Sequence, residues 1–132
     1  MNFTCPPQDK DTTLDFKFDH DIPIPENLEF EPYQLGLREG VDICVLFTEN
    51  AGEKTGADLA FLKYQPGAYV PGHVHIGYET VLVLQGQYIE NGIEYRPGSF
   101  IVRAPGTCHS MASQEGCLIL ASRYKPVQQL PN

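Results

Sequence analysis

Short apolar runs, each cut off by glycine or proline, occupy the chain from Val41 to Tyr124, and none continues long enough to build a core helix. VDICVLF, LAFLKYQ, ETVLVLQG, SFIVR and CLILASRY are rich in β-branched and aromatic residues, which suit a pleated, half-buried surface. Asn91-Gly92 falls between alternating residues in QYIENGIEY, a strong signal for a two-residue hairpin turn. The spacing predicts seven or eight short strands separated by turns, and therefore an all-β fold, either a sandwich or a closed barrel.

A chain of 132 residues is long enough for one hydrophobic core and too short for two ordinary domains. The composition changes along it. Residues 1–31 hold eight acids against Lys10 and Lys17 and account for most of the formal charge of −8. They read as an acidic N-terminal arm, with an edge strand in LDFKF, where Leu14, Phe16 and Phe18 share one side. Residues 32–126 read as the barrel domain and 127–132 as a proline-bearing tail.

With a sequence pI near 4.8 and no lysine or arginine cluster, the chain would be repelled by phosphate backbones and anionic lipid, which argues against nucleic-acid and membrane partners. No run approaches the ~20 apolar residues of a membrane helix. MNFTCPPQDK lacks a basic region followed by an apolar one, so the expectation is a cytoplasmic protein. Cys5, Cys44, Cys108 and Cys117 form no CxxC pair and are expected to be reduced. Cys108 and Cys117 read as packing residues.

The chemistry concentrates in GAYVPGHVHIGYETVLVLQG, Gly67 to Gly86. Side chains two apart on a strand face the same way, so His73 and His75 can reach one ion. Glu79 follows a short break at Ile76-Gly77-Tyr78, and His109, after the Pro105-Gly106 turn, offers a third nitrogen. Three imidazoles and a carboxylate leave one or two positions open on a six-coordinate ion, a donor set suited to Fe, Mn, Ni, Co or Zn. His20, in the acidic arm, is assigned no role.

These residues carry a family resemblance. Gly67, His73, His75, Glu79 and Gly86 follow the pattern G-x5-H-x-H-x3-E-x6-G, which resembles the first motif of the cupin superfamily. GSFIVRAPGTCHSMAS resembles the second, with Gly98, Gly106 and His109 in register; Ala104 stands where proline is usual and Ser113 where asparagine is usual. From about Glu31 to Lys125 the chain is similar to cupins related to the zinc-binding domain of ChrR-type anti-sigma factors. The resemblance implies a small antiparallel β-barrel, or jelly roll, holding one divalent metal ion, iron or zinc foremost, on His73, His75, Glu79 and His109.

Stand-alone members of that group include dioxygenases that cleave carbon–carbon bonds beside carbonyls. The resemblance therefore implies a metal-dependent dioxygenase for a small diketone, hydroxyketone or phenolic substrate, with Glu79 as ligand and as a base for the substrate proton. The alternatives are a zinc-binding, ChrR-like sensing module and a small-molecule isomerase. A sigma-factor partner is not expected, because the chain has no separate N-terminal sigma-binding domain. Strand parity places Val81 and Val83 on the side of Glu79, and Met111 on that of His109. Tyr69, Tyr78 and Arg103 complete the candidate substrate pocket. Thr80, Leu82 and Leu84 point outward and are predicted to pack on another sheet or subunit, so a homodimer is expected.

Overall fold

The structure, a computed structural model, describes residues 13–17, 22–33, 38–49, 56–125 and 128–129. Cys5, Phe18 and His20 lie outside the described residues. Eleven strands are present among the described residues: β1 (Thr13–Lys17), β2 (Glu31–Pro32), β3 (Glu39–Thr48), β4 (Gly56–Val74), β5 (Glu79–Gly86), β6 (Tyr88–Glu90), β7 (Ile93–Tyr95), β8 (Ser99–Arg103), β9 (Cys108–Ser113), β10 (Cys117–Lys125) and β11 (Gln128–Gln129). No helix occurs among the described residues, and hence none long and apolar enough to cross a membrane.

The strands form one antiparallel sheet ordered β1-β8-β5-β10-β4-β9-β6-β7, with β3 and β11 also paired to β4 and β2 to β3. It rolls into a nearly closed barrel, and β4 makes that possible. Its first half pairs with β3 and β10, and its second half chiefly with β9, with β3 reaching Tyr69 and β11 pairing at His73 and Val74. The Pro66-Gly67 step, which reads as a strand break in sequence, is a kink inside one long strand. Gly67 has φ +86°, a backbone conformation that only glycine adopts without strain, and the chain turns there from one wall to the next.

Alternation along the strands sorts the apolar residues into two layers. Val81 and Val83 of β5 and Ile119 and Ala121 of β10 point into the barrel, with Val41, Leu62, Val70, Ile101 and Met111. Each large side chain fully buried there contributes about 1.5–3 kcal/mol. Leu84 and Leu118 face the other way and pack with Phe61. Ile22, Ile24, Leu28 and Phe30 cover that outer layer together with Leu82 and Leu120. The cover that the sequence assigns to another sheet or subunit thus comes from the chain's own N-terminal segment. Thr80 instead hydrogen-bonds Ser122 at 2.6 Å.

The LDFKF edge strand forms as β1 on β8, with Phe16 and Phe100 in ring contact at 6.3 Å. Asn91 (φ 50°) and Gly92 (φ 80°) close the β6–β7 hairpin as their order requires. CHSMAS, short and polar, is not among the apolar runs of the sequence, yet it forms β9, as the parity of His109 and Met111 supposes. Cys108 is disulfide-bonded, which corrects its reading as a reduced packing residue, whereas Cys44 and Cys117 are free.

Candidate metal centre

The fold gathers four residues from three places. His73 lies near the end of β4, directly opposite His109 on β9 in the strand register. His75 follows β4, and its backbone is tied to the turn before β9: its N–H donates to Thr107 O at 2.9 Å and its carbonyl accepts from Gly106 N at 2.8 Å. Ile76-Gly77-Tyr78 then connects to β5, which opens with Glu79. All four side chains are buried, with one donor atom of each within 4.8 Å of the others.

The outward nitrogen of each of these three histidines is engaged. His73 Nδ1 lies 3.1 Å from the Pro71 carbonyl, which can only accept, so Nδ1 carries the proton. Thr107 donates its hydroxyl to the Ala104 carbonyl at 2.6 Å. Its oxygen therefore accepts from His75 Nδ1 at 3.0 Å. His109 Nδ1 donates to Glu90 Oε1 at 2.6 Å. The hydrogen-bond network assigns all three imidazoles the same tautomer, with Nε2 facing inward.

The inward atoms converge. His109 Nε2 is 2.8 Å from His73 Nε2 and 3.0 Å from His75 Nε2, and the Glu79 oxygens lie 3.2 Å from His75 Nε2 and from His109 Nε2. Three lone pairs and a carboxylate at such separations repel one another unless a cation sits among them. Donors about 2.1 Å from one ion and at right angles are about 3.0 Å apart, so the four residues fit a single divalent ion.

Without a metal, a proton does part of that work. Burial alone would lower the His109 pKa, but the charges of Glu90 and Glu79 outweigh it and push the pKa up to about 10. His73 goes the other way, to about 3, through burial and the neighbouring charge of His109. Burial opposes ionisation of Glu79, yet His109 and His75 hold its carboxyl well below the usual range. Glu79 is a carboxylate at neutral pH and a weak base.

Behind His109 stands a group that the motifs do not mention. Glu90 accepts from His109, from the Tyr88 hydroxyl at 2.8 Å and from Arg103 Nε at 2.6 Å, and Arg103 Nη2 bonds the Tyr95 hydroxyl at 3.2 Å. Burial would raise the Glu90 pKa, but His109 and Arg103 bring it down to about 2. Alternation in QYIE could have found it, since Tyr88 and Glu90 share the buried side of β6 and an inward glutamate needs partners.

The other candidates separate. Val81 and Met111 line a cavity of about 20 Å³ that reaches His73 and Glu79 and is walled also by Tyr33, Arg38, Val41, Leu62, Tyr64, Ile119, Ala121 and Arg123. Val83 is buried in the core but does not line this cavity. Arg103 points to Glu90 instead. Tyr69 and Tyr78 are 46% and 64% exposed. Tyr33, Arg38, Tyr64 and Arg123 were not singled out in sequence, because long-range folding alone brings them here.

A nearly closed antiparallel barrel with three histidines and a glutamate clustered on its inner strands defines a cupin. The chain belongs to the ChrR cupin-like domain family, whose model matches residues 25–127. No curated protein matches the sequence. An acetylacetone dioxygenase from Acinetobacter johnsonii is similar in structure with a TM-score of 0.67 and 14% identity, over 89% of this chain and 81% of that one. A polyketide cyclase from Streptomyces resistomycificus has a TM-score of 0.68 and 18% identity, over 86% and 87%. The anti-sigma factor ChrR of Rhodobacter sphaeroides, solved in complex with SigE, is 28% identical with a TM-score of 0.58, over 74% of this chain and 49% of that one. This chain therefore spans about half of ChrR.

Proposed function

We propose that His73, His75, Glu79 and His109 bind one divalent ion, iron foremost, and that the protein is a dioxygenase for a small oxygen-bearing molecule, a diketone, hydroxyketone or phenol. The observation that carries the metal reading is the shared orientation: three Nδ1–H groups donate outward and three Nε2 atoms face one point, where an ion would replace the proton that His109 holds. Four protein donors leave positions for other ligands. When bound, a redox-active ion supplies the means of bringing dioxygen and an electron-rich substrate together.

The chain's own residues then set the surroundings. Val81, Met111 and Ile119 line the cavity and exclude bulk water. Glu79 acts first as a ligand, given its low proton affinity in the metal-free protein, and takes a substrate proton only where a ligand atom is released. The test is oxygen uptake by the ferrous-loaded protein across a panel of diketones, hydroxyketones and phenols. No uptake over that panel removes the dioxygenase reading.

A second reading, a zinc-binding sensing module, is favoured by the identity to ChrR. Elemental analysis of protein purified without added metal separates the two: iron supports the oxygenase, zinc the sensor.

A further inference from the structure

A second cavity opens where β3 and β10 end. It holds about 440 Å³ and is walled by Phe47, Ile76, Tyr78 and Tyr124 over a floor of Asp58 and Arg123. Four parts of the chain meet there: the end of β3, the start of β4, the connection from His75 to Glu79 and the end of β10. Phe47 and Tyr124 are each 50% exposed, Ile76 45% and Tyr78 64%. Single exposed apolar side chains are ordinary, but four around one hollow mark a binding surface.

The fold holds these walls in place. A Cβ at Gly77 would lie 2.5 Å from Tyr124 Cβ, so glycine at that position lets Tyr124 lie against the connection. Arg123 is clamped to Asp58 by three contacts of 3.0–3.2 Å, and Asp58 is almost wholly buried. Arg123 also lines the small cavity at His73 and Glu79, so it is the wall that the two cavities share.

The lining selects a ligand class. The floor is a closed ion pair without net charge, and the chain as a whole carries −8, so nothing here attracts an anion. A cation would meet Arg123, which leaves a neutral ligand. Aromatic walls offer stacking worth about 0.5–1.5 kcal/mol per ring pair beyond the area covered, an advantage open only to a planar, aromatic molecule. The hydroxyls of Tyr78 and Tyr124 can each donate or accept, which suits a polar group on its edge. A cavity of about 150 Å³ takes one benzene ring, so a volume of about 440 Å³ open on one side takes about two.

A second copy of the chain fits less well. The four apolar walls expose on the order of 400 Å², about half of the ~800 Å² per partner that a stable interface buries. Two copies each carrying −8 also repel.

We propose that this outer cavity is a ligand site separate from the metal centre, and that it takes a neutral, planar aromatic molecule of about two fused rings bearing a hydroxyl group. The cavity at the metal, about 20 Å³, has room for roughly one water and cannot hold such a ring system. The inference goes beyond the reading above and depends neither on the metal nor on oxygen chemistry.

The test titrates the full chain by calorimetry with β-naphthol and with β-decalol, its saturated counterpart of similar size. Naphthol is expected to bind about five-fold or more tighter than decalol, and equally well to zinc-loaded and chelator-treated protein. Phe47→Ala and Tyr78→Ala, both at exposed positions, are each expected to weaken naphthol binding about five-fold with the melting temperature unchanged. If one variant fails to fold, the other decides. Loss of naphthol binding on metal removal would place the phenol on the ion and overturn the proposal. No binding, equal binding of decalol, or wild-type affinity in the folded variants does the same. A dimer seen by sedimentation and abolished in Phe47→Ala would show that a second copy covers the cavity, and overturns it as well.

Discussion

Glu90 Oε1 accepts the Nδ1 proton of His109 at 2.6 Å inside a barrel where both residues are almost wholly inaccessible. That bond orients the ring and directs Nε2 inward, while Arg103 keeps Glu90 ionised. A partner of this kind behind a metal-binding histidine is worth about 10–100-fold in metal affinity. Glu90→Ala should therefore weaken metal binding by that factor in competition with a chelator. Glu90→Gln, whose amide oxygen still accepts from Nδ1, should fall between the two. Folded Glu90→Ala with wild-type affinity would show that Glu90 serves only the fold.

Metal uptake should expel a proton. With its pKa pushed up to about 10, His109 holds a proton at neutral pH that an ion on Nε2 must displace. Calorimetric titrations in buffers of different ionisation enthalpy should report release of about one proton per ion from pH 7 to 9. Release near zero would mean that His109 is already neutral or lies outside the coordination set.

The barrel was legible because its strands are short, alternating and punctuated, and because Asn91-Gly92 has one favoured turn. The four clustered residues were legible because strand parity and the short Ile76-Gly77-Tyr78 connection suffice to bring His73, His75 and Glu79 together, and the second motif adds His109. What escaped depends on pairing between distant strands. Arg103 lies opposite Glu79 in the β5–β8 register, so a pocket position was a fair inference, but buried Glu90 on β6 draws its guanidinium away. Tyr64 and Arg38 line the cavity only once distant strands have paired around it. The long β4 itself was hidden because Pro66-Gly67 carries the same signal whether a strand stops or turns.

Acid should destabilise the metal-free protein over a defined range. The folded-state pKa of His73 is lowered to about 3 and that of Glu90 to about 2. In both cases the unfolded chain binds more protons, so stability falls as pH drops. The loss begins near the ordinary histidine pKa of about 6.5 and runs down through the two folded values. His109 has the opposite sign: its contribution is complete below about 6.5 and is lost as pH rises toward about 10. Urea midpoints measured from pH 3 to 10 on chelator-treated protein should fall at both ends, and a flat profile would contradict these shifts.

Gly86, which closes the first motif, is held for a reason separate from the metal. Its φ is +79°, and a Cβ there would lie 2.1 Å from the Gly116 carbonyl oxygen and 2.9 Å from Cys117 Cα. Gly92 has nearly the same φ, +80°, with nothing within 4 Å of an added Cβ. Alanine at either position incurs the left-handed conformational cost of about 1–2 kcal/mol. Only at position 86 must backbone also move, because β5 and β10 pair there through Gly86 and Cys117. Gly92→Ala should thus lower the unfolding free energy by about 1–2 kcal/mol, and Gly86→Ala should lower it well beyond that or prevent folding. Equal losses in denaturant titrations would mean that the strand can shift away from Gly116, and that the glycine is needed for its φ alone.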